Sequence, residues 1–159
     1  MLFRSPLFKI GYLPLVVDPE IIAENHRPLE QQLASLRLFD LDASTPTNAG
    51  MILFGINTLY YLAGAYIQFL HIEGTSFSEE SLLRENRASG DLLTQLQKID
   101  AIIDAMLPQT PVATSALTEK SLVDYPRNAV RELAMNAIMH RDYRSTAPID
   151  IHWFQDRIE

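Results

Sequence analysis

The segment from Pro126 to His140 reads PRNAVRELAMNAIMH and carries the strongest helix signal near the C-terminus. Its apolar residues recur at the three- and four-residue spacing of one helix face. They are Ala129, Val130, Leu133, Ala134, Ala137 and Ile138. Asp124 is predicted to cap this helix and Pro126 to occupy its first turn, where a missing N–H costs nothing. The sequence therefore predicts a helix over 126–140.

The segment after this helix is predicted to be a β-hairpin. Apolar and polar residues alternate from Ile149 to Trp153 and predict a strand over 149–154. Gln155-Asp156 then predicts a turn into Arg157-Ile158-Glu159. A chain that ends inside a strand is expected to be a piece of a longer protein.

Towards the N-terminus the same criteria predict further helices and a strand. The segments 28–39 and 90–107 have apolar residues at helical spacing, so both are predicted helices. Thr47 is predicted to cap a short helix that Gly55 ends. The segment 65–74 is rich in aromatic and β-branched residues, which is typical of a strand.

The remaining segments determine the predicted organisation. Prolines in residues 1–27 favour extended segments and turns, and the polar segment 75–89 is predicted to be a loop. We expect an α+β fold with helices packed on mixed β-sheets, in two partial domains. These domains are residues 1–108 and residues 116–159, which opens with a strand around 116–123; a linker at 109–115 joins them.

Composition limits the classes of function. The net charge is −7, and residues 1–123 contain 8 Lys and Arg against 14 Asp and Glu, so strong nonspecific binding to DNA phosphates is not expected. The chain has no cysteine, which excludes disulfides and thiolate metal sites. Its apolar stretches are shorter than a membrane span and no signal-peptide pattern is present, so we expect a cytoplasmic protein that does not contact the membrane.

Three polar residues of the predicted helix could perform chemistry. Glu132, Asn136 and His140 are four residues apart and therefore form one stripe. A carboxylate can activate a water molecule, and an amide oxygen can complete the ligand shell of Mg²⁺. The alternative is the solvated edge of an amphipathic helix, and the spacing alone favours that alternative.

Other motifs predict less. His140-Arg141-Asp142 matches the catalytic loop of protein kinases, but no glycine-rich phosphate loop or Asp-Phe-Gly accompanies it. A salt bridge at the helix end, with His140 near the negative end of the helix dipole, also accounts for these residues. The histidines lack zinc-ligand spacing.

The sequence from Tyr125 to Tyr143 resembles a signature of bacterial and archaeal transcriptional regulators and RecG-related ATP-dependent DNA helicases. Asp156-Arg157-Ile158-Glu159 also matches that family. The resemblance implies a divergent GHKL-type ATPase domain in which Glu132 activates water and Asn136 binds Mg²⁺. His140, Arg141 and Asp142 are hallmarks of the signature, and we expect them at the cofactor site.

The first part of the chain is similar to the second half of a Schlafen/AlbA-like DNA-binding domain, through the run Thr47-x-Ala49-Gly50-x-x-Leu53-Phe54-Gly55. Together the resemblance covers residues 28–159. It implies a longer protein that binds Mg-ATP and nucleic acid, while this chain alone binds neither tightly. The alternative is a non-enzymatic module for protein interaction or self-association, which would make the protein a homo-oligomer.

Overall fold

The computed structural model describes residues 3–107, 110–115, 118–122 and 125–159, and gives the backbone alone for the stretches within 110–122. A π-helical turn at Leu7–Tyr12 and a 3₁₀ turn at Glu79–Ser81 accompany the α-helices. The α-helices are α1 (Leu13–Val16), α2 (Pro19–Glu24), α3 (Leu29–Ser35), α4 (Asn48–Phe54), α5 (Thr58–Tyr61), α6 (Leu92–Met106) and α7 (Arg127–His140).

In the described part of the chain the strands form three small sheets. They are β1 (Phe39–Asp40), β2 (Thr45–Pro46), β3 (Ile67–Ile72), β4 (Leu82–Ala88), β5 (Thr110–Ser115), β6 (Thr118–Leu122) and β7 (Ile149–Trp153). The central sheet has the order β4-β3-β7, with β4 antiparallel and β7 parallel to β3. β1 pairs with β2 and β5 pairs with β6, both antiparallel. The expected α+β class with mixed strand directions is confirmed.

Several of the predicted helix caps and helix ends can be compared with the structure. The Thr47 side chain accepts a hydrogen bond from the Gly50 amide at 3.1 Å, so it caps α4 as expected. Asp91 caps α6 in the same way, through the Thr94 amide at 2.9 Å. The predicted helix over 28–39 ends earlier, because Arg37 has a positive φ of 59° and the chain then enters β1. Pro126 is the N-cap of α7, and Asp124 lies outside the described residues.

Two predictions were wrong. The segment 1–27 was expected to be extended, but its described residues from Phe3 onward include short helices in which Pro14 and Pro19 occupy N-terminal positions, a placement that proline permits. The expected loop at 75–89 contains β4, because pairing with β3 makes a strand of a charged segment. Residues 110–115 form β5, which pairs with β6 inside the strand predicted around 116–123, and the linker at 109–115 stays a prediction.

The main core lies between the central sheet and the helices α6 and α7. Ile67 and Phe69 of β3, Ile99 and Ile103 of α6, and Ala134 of α7 are almost fully buried there. A second cluster, built around Phe8, Leu33 and Phe54, joins the N-terminal helices. Residues from both sides of the predicted linker therefore meet in one sheet and one core, and the division into two partial domains stays a prediction.

The hairpin after β7 forms as predicted. The amide of His152 donates to the carbonyl of Glu159 at 2.8 Å, and the amide of Glu159 donates back at 2.9 Å. Trp153 faces Ile158 across this antiparallel pair. Ile158 and Glu159 thus lie along the edge of β7.

Candidate functional site

Helix α7 carries the predicted site, and its apolar face fixes its position. Val130, Ala134 and Ile138 follow one another at four-residue spacing and are buried against the central sheet. Leu133 was expected on the same face but is 64% exposed, because it lies to one side of that line. The buried row orients the rest of the helix, so the opposite face is turned to solvent.

The N-terminal half of α7 is tied to α6 by ion pairs. Arg127 donates to Asp104 at 3.1 Å, and Arg131 donates to Asp100 at 3.0 Å. The hydrogen bond from Arg127 holds the pKa of the Asp104 carboxyl below its usual value. All four side chains are substantially exposed, so these contacts orient the helix more than they stabilise it.

The predicted stripe lies on the exposed face of α7. The structure brings Glu132, Asn136 and His140 into one line along the helix, and all three are exposed to solvent. Within the described parts of the chain, none of these side chains has a hydrogen-bond or ion-pair partner. Among the described residues, the stripe is thus exposed and is not held by side-chain hydrogen bonds or ion pairs.

An apolar groove of about 240 Å³ runs beside the stripe, between α7 and the hairpin that follows β7. Its lining is mostly aliphatic, with two carboxylates from the hairpin side. The lining residues are Val130, Leu133, Ala134, Ala137, Ile149, Asp150, Ile151, Ile158 and Glu159. Neither Glu132 nor Asn136 lines the groove, so the described residues do not enclose a pocket around the stripe.

Arg141 turns away from the stripe and into the protein. Its Nη1 donates to the carbonyl of Tyr66 at 3.4 Å, and its Nη2 donates to the carbonyl of Ala147 at 3.0 Å. Its Nε is buried and has no hydrogen-bond partner among the described residues. The expectation that Arg141 binds the cofactor directly stays a prediction, and in this structure its guanidinium is engaged with backbone carbonyls.

Asp142 and Tyr143 organise the turn after α7. The Asp142 carboxylate accepts from the amide of Arg144 at 2.9 Å, and this bond and the Arg144 side chain keep the Asp142 pKa below its usual value. The Tyr143 hydroxyl donates to the carbonyl of Ile138 at 3.1 Å, satisfying a group that a helix end leaves unpaired. Burial raises the pKa of the Tyr143 phenol. Asp142 thus meets its local partner, while His140 stays exposed.

Sequence reasoning missed the residues that face Arg141 across the fold. Tyr66 offers its carbonyl, and Gly64 lies so close to the segment 145–147 that a Cβ there would be 2.5 Å from the carbonyl oxygen of Ala147. Small residues surround Gly64 in the run Ala63-Gly64-Ala65, and this was the available signal of a close approach.

The described residues hold no preformed metal cluster beside the stripe. Among the described residues, no group of three or more His, Asp or Glu side chains is placed to hold a metal ion. Asn136 would therefore have to share a Mg²⁺ with phosphate oxygens and water, which is the usual manner of Mg²⁺ binding at nucleotides.

Within the same described residues, no helix is both long enough and apolar enough to cross a membrane.

Comparison with known proteins identifies a similar fold. No family model matches the chain, and no curated protein matches it. The solved structure of the DIP2311 protein from Corynebacterium diphtheriae is similar, with a TM-score of 0.61 and 20% sequence identity. The match covers 97% of this chain and 28% of DIP2311, so the chain spans less than a third of that protein. At this identity the similarity shows the fold alone.

Proposed function

We propose that this chain is part of a longer Mg-ATP-binding protein and contributes the helix that carries the magnesium ligand and the water-activating carboxylate. In this proposal Asn136 binds Mg²⁺ through its amide oxygen and Glu132 orients or deprotonates the attacking water. The resemblance to transcriptional regulators and RecG-related helicases suggests that the longer protein acts on nucleic acid.

One observation carries the proposal. Helix α7 is held on the sheet by its buried row and at both ends by arginines, yet Glu132 and Asn136 on its outer face have no partner in the described residues. A fixed helix that presents an unpaired carboxylate and amide one turn apart is suited to bind Mg²⁺ and a phosphate group. The apolar groove beside the stripe offers room for a less polar part of the ligand.

Calorimetric titration with Mg-ATP tests the proposal in the full-length gene product. We expect the wild type to bind and Asn136→Ala to lower the affinity at least about tenfold, the factor that one lost ionic hydrogen bond or ligand contact corresponds to. Glu132→Gln is expected to retain binding and to lower hydrolysis by about a hundredfold. The 159-residue chain alone is expected to bind weakly, because its described residues do not enclose the stripe.

Asn48→Ala is the matched control, since Asn48 is an exposed asparagine in the first turn of α4, a helix that does not carry the stripe. It is expected to leave both affinity and hydrolysis unchanged. A full-length wild type that does not bind Mg-ATP would refute the proposed function. Binding that survives Asn136→Ala at full strength would refute the assignment of the magnesium ligand.

A further inference from the structure

We infer that Arg141 is a positioning residue: its guanidinium fixes the C-terminal end of α7 to the starts of β3 and β7 and so sets the direction of Asn136. The clamp itself is independent of the ligand. Its effect on Asn136 rests on the proposed function, and the two parts are therefore tested separately below.

The contacts of Arg141 join segments that are distant in sequence. Tyr66 precedes β3 and lies 75 residues before Arg141, whereas Ala147 lies six residues after it, just before β7. The Tyr66 carbonyl also accepts the amide of Ile149, the first residue of β7, at 3.2 Å. A single carbonyl thus serves both the guanidinium and the first bond between the parallel strands, which couples the end of α7 to the register of β7.

The close approach at Gly64 shows that the same junction is tightly packed. An added Cβ would lie 2.5 Å from the Ala147 oxygen and 2.6 Å from the Ser145 oxygen, both backbone atoms. The segments 62–66 and 145–147 therefore cross backbone to backbone. This packing restrains the Ala147 carbonyl, one of the two acceptors of Arg141.

Arg141 is partly buried by its surroundings. Its Nε is buried, and its guanidinium lies 4.9 Å from the ring centre of Tyr143. Tyr143 in turn bonds to the carbonyl of Ile138 in the last turns of α7. Arg144, three residues later, differs completely: its side chain is 88% exposed and pairs with Asp142.

The clamp reaches Asn136 through the helix itself. Asn136 lies five residues before Arg141, little more than one helical turn of about 5.4 Å. If the last turn rotates or frays, the side chains one turn earlier change direction with it. A lysine cannot replace the arginine fully, because only the planar guanidinium donates to two acceptors in fixed directions.

Hydrogen exchange in the absence of nucleotide tests the clamp. In Arg141→Met we expect the amides of 149–153 to exchange at least about tenfold faster, the factor set by loss of one hydrogen bond to a charged group. Arg141→Lys is expected to fall between this variant and the wild type, and it replaces Arg141→Met if that variant does not fold. Arg144→Met is the control and is expected to leave exchange unchanged. Unchanged exchange in Arg141→Met would overturn the clamp.

Mg-ATP titration of the same variants, in the full-length gene product well below its melting temperature, tests the effect on Asn136. We expect weaker binding in Arg141→Met, partial rescue in Arg141→Lys, and no change in Arg144→Met. Weaker binding without faster exchange would show that Arg141 contacts the nucleotide, which overturns the inference, as does faster exchange with full affinity. If the wild type binds no Mg-ATP, the proposed function fails and the exchange data alone decide the clamp.

Discussion

The two ends of α7 are both held by arginines, but by different chemistry. At the N-terminal end, Arg127 and Arg131 pair with the carboxylates of Asp100 and Asp104 across the surface. At the C-terminal end, the partly buried Arg141 donates to backbone carbonyls of two other segments. One end is thus joined to a neighbouring helix and the other to the central sheet.

The difference shows which end determines the geometry of the site. Water competes for exposed ion pairs, which therefore contribute little to stability, and their side chains can adjust. Backbone carbonyls packed against a glycine cannot adjust, and an unpaired buried group there is costly. We therefore expect the C-terminal end to tolerate substitution poorly and the N-terminal end to tolerate it well.

The substitution expected to have the largest effect is Gly64→Ala, at the C-terminal junction. The new methyl group would push apart two backbone segments, so we expect the free energy of unfolding to fall by about 2–3 kcal/mol, as for overpacked cores. Urea denaturation of the 159-residue chain measures this loss.

Gly11→Ala is the matched control. A Cβ at this exposed helical position would lie 3.4 Å from the nearest Leu7 atom, an ordinary contact. Alanine also favours the helix, so we expect an unchanged or slightly higher stability. Equal effects at the two glycines would contradict the close packing of the junction.

A smaller loss of stability is expected for Tyr143→Phe, which removes the hydrogen bond to the Ile138 carbonyl. We expect the free energy of unfolding to fall by about 1 kcal/mol at neutral pH, the usual value of one hydrogen bond. Tyr60→Phe is the control, because the Tyr60 side chain is 83% exposed, and it is expected to change nothing.

The effect of Tyr143→Phe depends on pH in a defined direction. Burial raises the pKa of the Tyr143 phenol above its usual value near 10, so the folded state favours the neutral form. The stability that this preference contributes is present below about pH 10 and is lost as the pH rises through the raised pKa. The advantage of wild type over Tyr143→Phe should therefore be constant from about pH 7 to 9 and shrink above 10. A constant advantage through alkaline pH would contradict this.

The sequence predicted elements whose signals are local. The apolar spacing of 126–140, the cap at Thr47 and the alternation over 149–154 each depend on neighbouring residues, and each element forms. β4 was not predicted because it carries the charged residues Arg84, Glu85 and Arg87. Charged side chains are common on an exposed edge strand, but they do not produce the apolar pattern by which a buried strand is recognised. Its structure depends on pairing with β3, which local patterns do not contain.

The candidate site divides in the same way. The stripe of Glu132, Asn136 and His140 follows from helical spacing, and the structure places all three in one line. The contacts of Arg141 could not be predicted, because Tyr66 lies 75 residues away and accepts through its backbone carbonyl. A carbonyl acceptor is present in every residue, so side-chain patterns give no signal for such a contact.

The smallest expected effect is at the N-terminal end, in Arg127→Met. Because Arg127 and Asp104 are exposed, we expect a loss of stability smaller than that of Tyr143→Phe, and it should vanish near 1 M salt, where the screening length is about 3 Å. The pair lowers the Asp104 pKa, so its contribution is present above the usual carboxyl pKa and is lost as the pH falls through the lowered one. Urea denaturation of Arg127→Met and Gly64→Ala at low and high salt measures the loss of stability in each variant. A salt-independent loss as large as that of Gly64→Ala would show that the two ends of α7 are held equally firmly, and the C-terminal end would lose its special part in orienting the site.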